Sequence, residues 1–258
     1  MNYKSLFFLL ILGFISSASK AQNNSVVPDF ITDRPDQTES PNAVPVKYFQ
    51  VETGFQYEKF QLDSYKFRNY TYNTTLLRYG LFKDFELRLG VDLLNLESDV
   101  LMNEFDPSTG FSPLLFGIKY ELVDEDGWIP QIGVLAHALI PLGTTYDSGE
   151  LGGELRLAFS HSLSEQSSLS YNLGFETFGG SDLLYFYTLS YGYKISEPLG
   201  LYAEVYADIL DADFDHYWNA GFTYLVSNNV QLDGYVGTGI NTNQDLLLGA
   251  GVSFRIPN

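Results

Sequence analysis

The sequence predicts an all-β fold: a transmembrane antiparallel β-barrel of about twelve strands. Three observations predict it. From Tyr48 to the end of the chain apolar and polar residues alternate with a period of two. The connectors between these runs alternate between short and long. Aromatic residues reach 16%, with 19 Tyr and 20 Phe, beside only 18% charged residues.

Composition narrows the function classes. A net charge of −18 and an isoelectric point near 4.3 leave few cations to neutralise phosphates, so no nucleic-acid partner is expected. Cysteine is absent, which removes disulfides, thiolate metal sites and a cysteine nucleophile. The three histidines, His137, His161 and His216, lack ligand-like spacing, so no metal is expected. No phosphate loop, dinucleotide fingerprint or nucleophile elbow appears, so neither a cofactor nor an enzyme is expected. The aromatic load excludes disorder, and a mean hydropathy of −0.06 excludes a bundle of membrane helices.

Residues 1–21 read as a secretory signal. Lys4 precedes an apolar run from Leu6 to Ile15 that is too short to span a membrane, and Ser19 and Ala21 are small residues suited to cleavage. Residues 22–45 form a polar leader punctuated by Pro28, Pro35, Pro41 and Pro45 without periodicity. Residues 46–258 are the barrel. Its first strand carries Phe49, Val51, Thr53, Phe55 and Tyr57 on one face and Gln50, Glu52, Gly54, Gln56 and Glu58 on the other. The hairpin around Lys83-Asp84 places Leu77, Tyr79, Leu81, Leu87, Leu89, Val91 and Leu93 outward, with Arg78, Gly80, Glu86, Arg88, Gly90 and Asp92 inward. The same grammar recurs over 169–178, 185–195, 199–209, 218–226 and 246–256. Short connectors fall at 83–84, 125–127, 164–166, 196–198 and 227–229. Longer ones are expected at 61–69, 95–112, 141–151, 179–184, 210–216 and 241–245. Both termini then fall on the short-turn side.

The direction of the apolar face separates three all-β architectures. Sandwich strands are usually shorter, and a soluble barrel would turn its apolar face inward. Here the opposite face carries Glu, Arg and Lys, which a closed soluble core would not accept without partners. Tyrosines bracket the apolar stripe, Tyr185 and Tyr187 at one end and Tyr191 and Tyr193 at the other. Ten residues tilted by about 45° cover roughly 23 Å, the height of an outer-membrane apolar band. The bacterial outer membrane is therefore the expected location, with both termini periplasmic.

The segment Thr32-Asp33-Arg34-Pro35-Asp36-Gln37-Thr38-Glu39-Ser40-Pro41, followed by Tyr48-Phe49-Gln50-Val51-Glu52-Thr53-Gly54-Phe55, resembles the outer-membrane family described as "Putative MetA-pathway of phenol degradation". The resemblance covers most of the mature chain, with the Asp-Arg-Pro-Asp-x-Thr-Glu-Ser segment as its sharp part. It implies a porin-like transporter of small solutes, aromatic or hydrophobic compounds among them. Many such barrels end on an aromatic residue read by the barrel-assembly machinery, whereas this chain ends Phe254-Arg255-Ile256-Pro257-Asn258. Phe254 is the candidate for that role.

Several inward residues form candidate lumen constellations. Arg78 falls opposite Arg88, and Glu52 and Glu86 share their face. This Arg/Glu cluster either fills a narrow barrel or forms a charged constriction that selects solutes. Glu154 faces Glu176 with Arg156 diagonal to the latter, a second mixed-charge patch. Lys119, Glu121, Lys194, Asp208 and Arg255 also take polar-face positions, as do Tyr202, Glu204 and Tyr206, whose rings suit stacking of an aromatic solute or simple filling. The leader motif Asp33, Arg34, Pro35 and Asp36 either reaches back as a plug or trails as a periplasmic tail. The long connectors are acidic, as at Asp211, Asp213 and Asp215, and read as a solvated rim. Ser160 and Ser162 flank His161 but project to the opposite face, which argues against a nucleophile–base pair. The expected partners are outer-membrane lipid, a small-molecule solute and the assembly machinery. A closed structural or adhesive barrel is the alternative reading.

Overall fold

A computed structural model describes residues 28–62, 65–100, 103–146, 149–179 and 183–256. The expected signal segment lies outside the described residues. The regular structure among them is β-strand: β1 (Phe49–Leu62), β2 (Tyr65–Phe82), β3 (Phe85–Gly90), β4 (Leu93–Val100), β5 (Asn103–Phe111), β6 (Leu114–Val123), β7 (Gln131–Ile140), β8 (Gly152–Ser162), β9 (Ser167–Thr177), β10 (Leu184–Lys194), β11 (Leu199–Leu210), β12 (Asp213–Ser227), β13 (Val230–Gly239) and β14 (Gln244–Ile256). β3 and β4 run in sequence along β2. β5 and β6 follow them on the next wall position. Each of these two pairs is one interrupted wall strand, so the wall has twelve antiparallel strands. β1 pairs with both β14 and β2 and closes the sheet on itself.

Closure removes every free edge that lipid could not satisfy. The period-two pattern then sorts the side chains. Leu89, Leu157, Leu173, Leu189, Val205, Phe222, Val236 and Leu248 stand exposed on the outer wall. Tyr185, Tyr191 and Tyr193 are exposed near its two ends. The interior is the polar side. Arg78, Arg88, Lys119, Gln50, Glu52, Glu86, Asn172 and Asn219 are among the largest fully buried side chains, with Leu135 and Leu247 as apolar members.

Two expectations are corrected. The connectors at 61–69, 95–112 and 210–216 are largely strand. β1 and β2 leave only residues 63–64 between them, β4 and β5 only 101–102, and β11 and β12 only Asp211-Ala212. The ladder continues beyond the height where lipid demands apolar residues, so the alternation fades while the hydrogen bonds persist. At Asp211-Ala212 both residues have positive φ, 51° and 69°. That geometry suits a two-residue hairpin turn, but Asp-Ala lacks the glycine by which such a turn is usually read.

The second correction concerns the outward assignment of Val91 and Leu93. The period breaks at Val91-Asp92 and resumes shifted by one residue: Asn95 is buried and Leu96 is exposed. β2 carries a matching irregularity between Thr71 and Asn73. Side chains fill the ladder positions lost at the break. Asp92 accepts from the Thr75 N–H (3.2 Å), and the Asp92 N–H donates to the Ser112 hydroxyl (2.9 Å).

Candidate functional site

The lumen holds the leader from Pro28 onward, the part that lies among the described residues. Pro28 and Asp29 enter at the short-turn end, where Arg255 donates to both of their carbonyls at 2.7 Å. The chain returns to the same end at Lys47, whose N–H donates to the Gly80 carbonyl (2.7 Å). Residues between them form a loop inserted into the barrel. A side chain at Gly80 would collide with the Val44 and Pro45 backbone, so the missing Cβ is what lets the leader lie against β2.

Asp33 sits at the centre of the Arg/Glu cluster. Its carboxylate receives Arg88 (2.7 Å), Lys119 (2.8 Å) and Arg78 (3.1 Å). Arg78 also pairs with Glu52 (2.8 Å) and Glu86 (2.9 Å), and Arg88 with Glu86 (2.9 Å) and Glu39 (2.7 Å). Arg78 does stand opposite Arg88 across the β2–β3 ladder. Their repulsion is offset by the carboxylates between them, one of which comes from the leader. Burial alone would raise the Asp33 carboxyl, but Arg78, Lys119 and Arg88 overcome it and hold it well below the usual carboxylate range.

The next residue turns its side chain toward the closing seam, where β13, β14, β1 and β2 are neighbours. Arg34 donates to both oxygens of Asp233 (3.2 and 2.9 Å) and to the Thr74 hydroxyl (3.0 Å). Its guanidinium fills a notch on the closing seam, where Gly54 and Gly251 are register partners. A Cβ on either glycine would overlap it. Burial opposes the charge, yet the Asp233 hydrogen bond and charge leave the Arg34 pKa raised.

Farther along, Glu204 accepts from the Gln37 N–H (2.7 Å), the Thr38 N–H (3.1 Å) and the Thr38 hydroxyl (2.9 Å). Asn172 exchanges two bonds with the Glu39 backbone (2.7 and 2.9 Å). Arg156 donates to Glu154 (2.7 Å) and to the Gln37 carbonyl (2.9 Å) and lies 4.5 Å over the Phe186 ring. Glu86 accepts from the Val44 N–H (2.7 Å). Asp36 is pushed well above the usual carboxylate range by burial and by the neighbouring Glu204, against a hydrogen bond from Ser190.

Thus Glu52, Arg78, Glu86 and Arg88 meet at one locus, while Glu154 and Arg156 form a second patch. Glu176 is the register partner of Glu154. Tyr202 flanks Gly221, and Tyr206 stacks on Tyr217 with centroids 5.0 Å apart. Pro35 is buried. Reading by sequence left out Asp233, Asn172, Thr188 and the two-glycine notch, and did not join Lys119 to the cluster. The signal for Asp233 was its residue type, since Asp is disfavoured in strands unless its face is polar. A cavity of about 390 Å³ adjoins the leader on the long-connector side. Asp33, Asp36, Glu39, Arg88 and Arg156 border it, and the wall break at Val91-Asp92 opens beside it. His161 stacks on Tyr171, whereas Ser160 bonds Ser170 on the other face.

A closed twelve-stranded wall with lipid-facing aliphatics and a polar interior defines an outer-membrane β-barrel. The family model described as "Putative MetA-pathway of phenol degradation" matches residues 32–256, and the chain belongs to this family. The match begins at the leader motif and runs to the last wall strand. Among solved structures, the COG4313 outer membrane channel from Pseudomonas putida F1 is similar, with a TM-score of 0.61 at 14% identity, covering 83% of this chain and 97% of that one. The beta domain of the Bordetella autotransporter BrkA has a TM-score of 0.54 at 11% identity, covering 80% and 98%. The translocator domain of autotransporter NalP from Neisseria meningitidis has a TM-score of 0.51 at 12% identity, covering 83% and 90%. These likenesses define the fold. No curated protein matches the chain in sequence.

Proposed function

We propose that this protein is an outer-membrane transporter that passes small solutes, aromatic and other apolar compounds among them, through a mixed-charge lumen in which the leader acts as a displaceable plug. The observation that carries this reading is how the leader is held. From Asp33 to Glu39 it is held mainly by hydrogen bonds and ion pairs to inward side chains, and the wall closes through β1, β2 and β14 without it. Polar contacts of this kind can be exchanged for water, so the segment can leave without unfolding the wall. A barrel built only to be closed would gain from apolar packing, because buried ion pairs seldom outperform a well-packed apolar core. That weighs against a structural or adhesive role. The separation of His161 from Ser160 weighs against catalysis. In this reading the short turns and both termini face the periplasm, as in barrels with long outer loops.

The chain has no cysteine, so one engineered disulfide tests the reading cleanly. The Thr38 and Thr188 hydroxyls are 2.8 Å apart. In the double variant Thr38→Cys, Thr188→Cys, oxidation should suppress uptake of a small aromatic solute into proteoliposomes, and reduction should restore it. Equal uptake in both states would show that the leader does not control passage.

A further inference from the structure

We propose that the turn between β6 and β7 is a membrane-surface anchor, with Trp128 and Ile129 seated in the headgroup layer of the leaflet at the short-turn end and Asp124 and Asp126 meeting ammonium-bearing lipid headgroups. This goes beyond solute passage, since the turn lies outside the lumen.

Trp128 is 97% exposed, the most exposed large apolar side chain among the described residues. The exposure is built in. Asp126 and Ile129 exchange both backbone hydrogen bonds at 3.0 Å, and Gly127 supplies the positive φ that the tight turn needs. Glu125 clamps the turn to the neighbouring wall, accepting from the Ser162 N–H (2.6 Å) and hydroxyl (2.7 Å). A fixed turn holding a bare indole in water would keep a costly apolar patch without using it.

The patch is continuous with the lipid-facing wall. Phe116, Ile118, Tyr120 and Leu122 climb β6 toward it as exposed residues, and Leu163 ends the outer stripe of β8 beside it. An outward stripe already committed to lipid thus runs past its tyrosine level onto Val123, Trp128 and Ile129. Indole suits this depth because one edge is apolar and its N–H seeks a polar partner. The exposed carboxylates of Asp124 and Asp126 would be repelled by an anionic headgroup and attracted by the ammonium of a zwitterionic one. Lipid, rather than a soluble protein, is the occupant that this continuity favours.

The chain has only two tryptophans, and Trp218 lies on the outer face of β12, so fluorescence isolates the turn. The full mature chain is refolded into phosphatidylethanolamine-containing and phosphatidylglycerol-containing vesicles. The contribution of Trp128 is read as wild type minus Trp128→Phe, which leaves Trp218 unaltered; Trp218→Phe gives an independent reading. In ethanolamine-lipid vesicles the Trp128 emission should shift to shorter wavelength. It should also be quenched by lipid brominated near the headgroup and resist aqueous iodide. Water-like emission fully quenched by iodide would overturn the proposal. So would protection that appears only after periplasmic extract is added, because the occupant would then be a protein. Equal protection in phosphatidylglycerol vesicles would overturn the headgroup assignment.

Discussion

Asp33 and Arg34 are neighbours whose backbone N–H groups share the Glu52 carboxylate, while their side chains take different receptors on the wall. Asp33 neutralises three cations of β2, β3 and β6, while Arg34 occupies a glycine notch beside Asp233. Removing one partner from such a buried pair typically costs about 3–5 kcal/mol, because the other charge is left uncompensated. Asp233→Asn should therefore loosen the leader without opening the wall. The expected result is higher conductance and easier proteolysis within residues 28–46, with the folded barrel band unchanged on gels. Gly251→Ala should act in the same direction, since its methyl group claims the space of the guanidinium. The leader carboxyls also set a pH dependence. Asp36 has a raised pKa when docked, so its docking penalty is absent when it is protonated and grows as pH rises from the ordinary carboxylate range through the docked value. Asp33 has a lowered one, so its contribution is lost only as pH falls below the ordinary carboxylate range. Conductance should be lowest in mild acid and rise toward neutrality, and Asp36→Asn should flatten that rise. A profile identical in wild type and Asp36→Asn would assign the pH response elsewhere.

A strand's two faces carry separate instructions, one for lipid and one for the lumen. Leu89 is exposed on the outer face and Gly90 is buried at the cavity. Leu89→Arg should weaken folding into bilayers by about 2–4 kcal/mol near the midplane. Gly90→Arg should leave folding nearly intact and change conductance, because its charge enters the cavity. Equal unfolding free energies for the two variants would contradict the assignment of inside and outside. The element pattern was legible wherever lipid enforces alternation, which is why strands such as 185–195 and 199–209 could be located closely. It was illegible where that pressure ends. The hairpin over 210–216 turns through Asp211-Ala212 without a glycine to mark it, with Asp213 and Asp215 on one face, and the break at Val91-Asp92 changes parity by one residue, with an aspartate and a serine replacing ladder bonds. At the lumen, the facing of Arg78 and Arg88 could be counted from a two-residue turn. The meeting of Asp33 with Lys119, 86 positions apart, depends on the path of a leader without periodicity, and no local pattern encodes that path.

At the scale of the whole molecule, the wall closes into one continuous ladder, and Asp and Glu outnumber Lys and Arg by 32 to 14. Folded protein should migrate faster than its boiled form in mild detergent gels, and its circular dichroism should be of β type. A net charge of −18 should raise cation concentration at the mouths of the pore. That gives a weak cation preference at low salt, fading once the Debye length falls to about 8 Å at physiological ionic strength. Arg78 and Arg88 are each paired with several carboxylates, so they hold the leader more than they project a field. Replacing both by Gln should increase conductance more than it changes ion selectivity. The most direct measurement is single-channel conductance of the mature chain with and without residues 22–45 in planar bilayers. The intact protein should show small or rare openings, and the shortened, heat-modifiable barrel should show larger and stable ones. A shortened barrel that folds normally but stays electrically silent would contradict the account, because the lumen would then be sealed by the wall's own side chains.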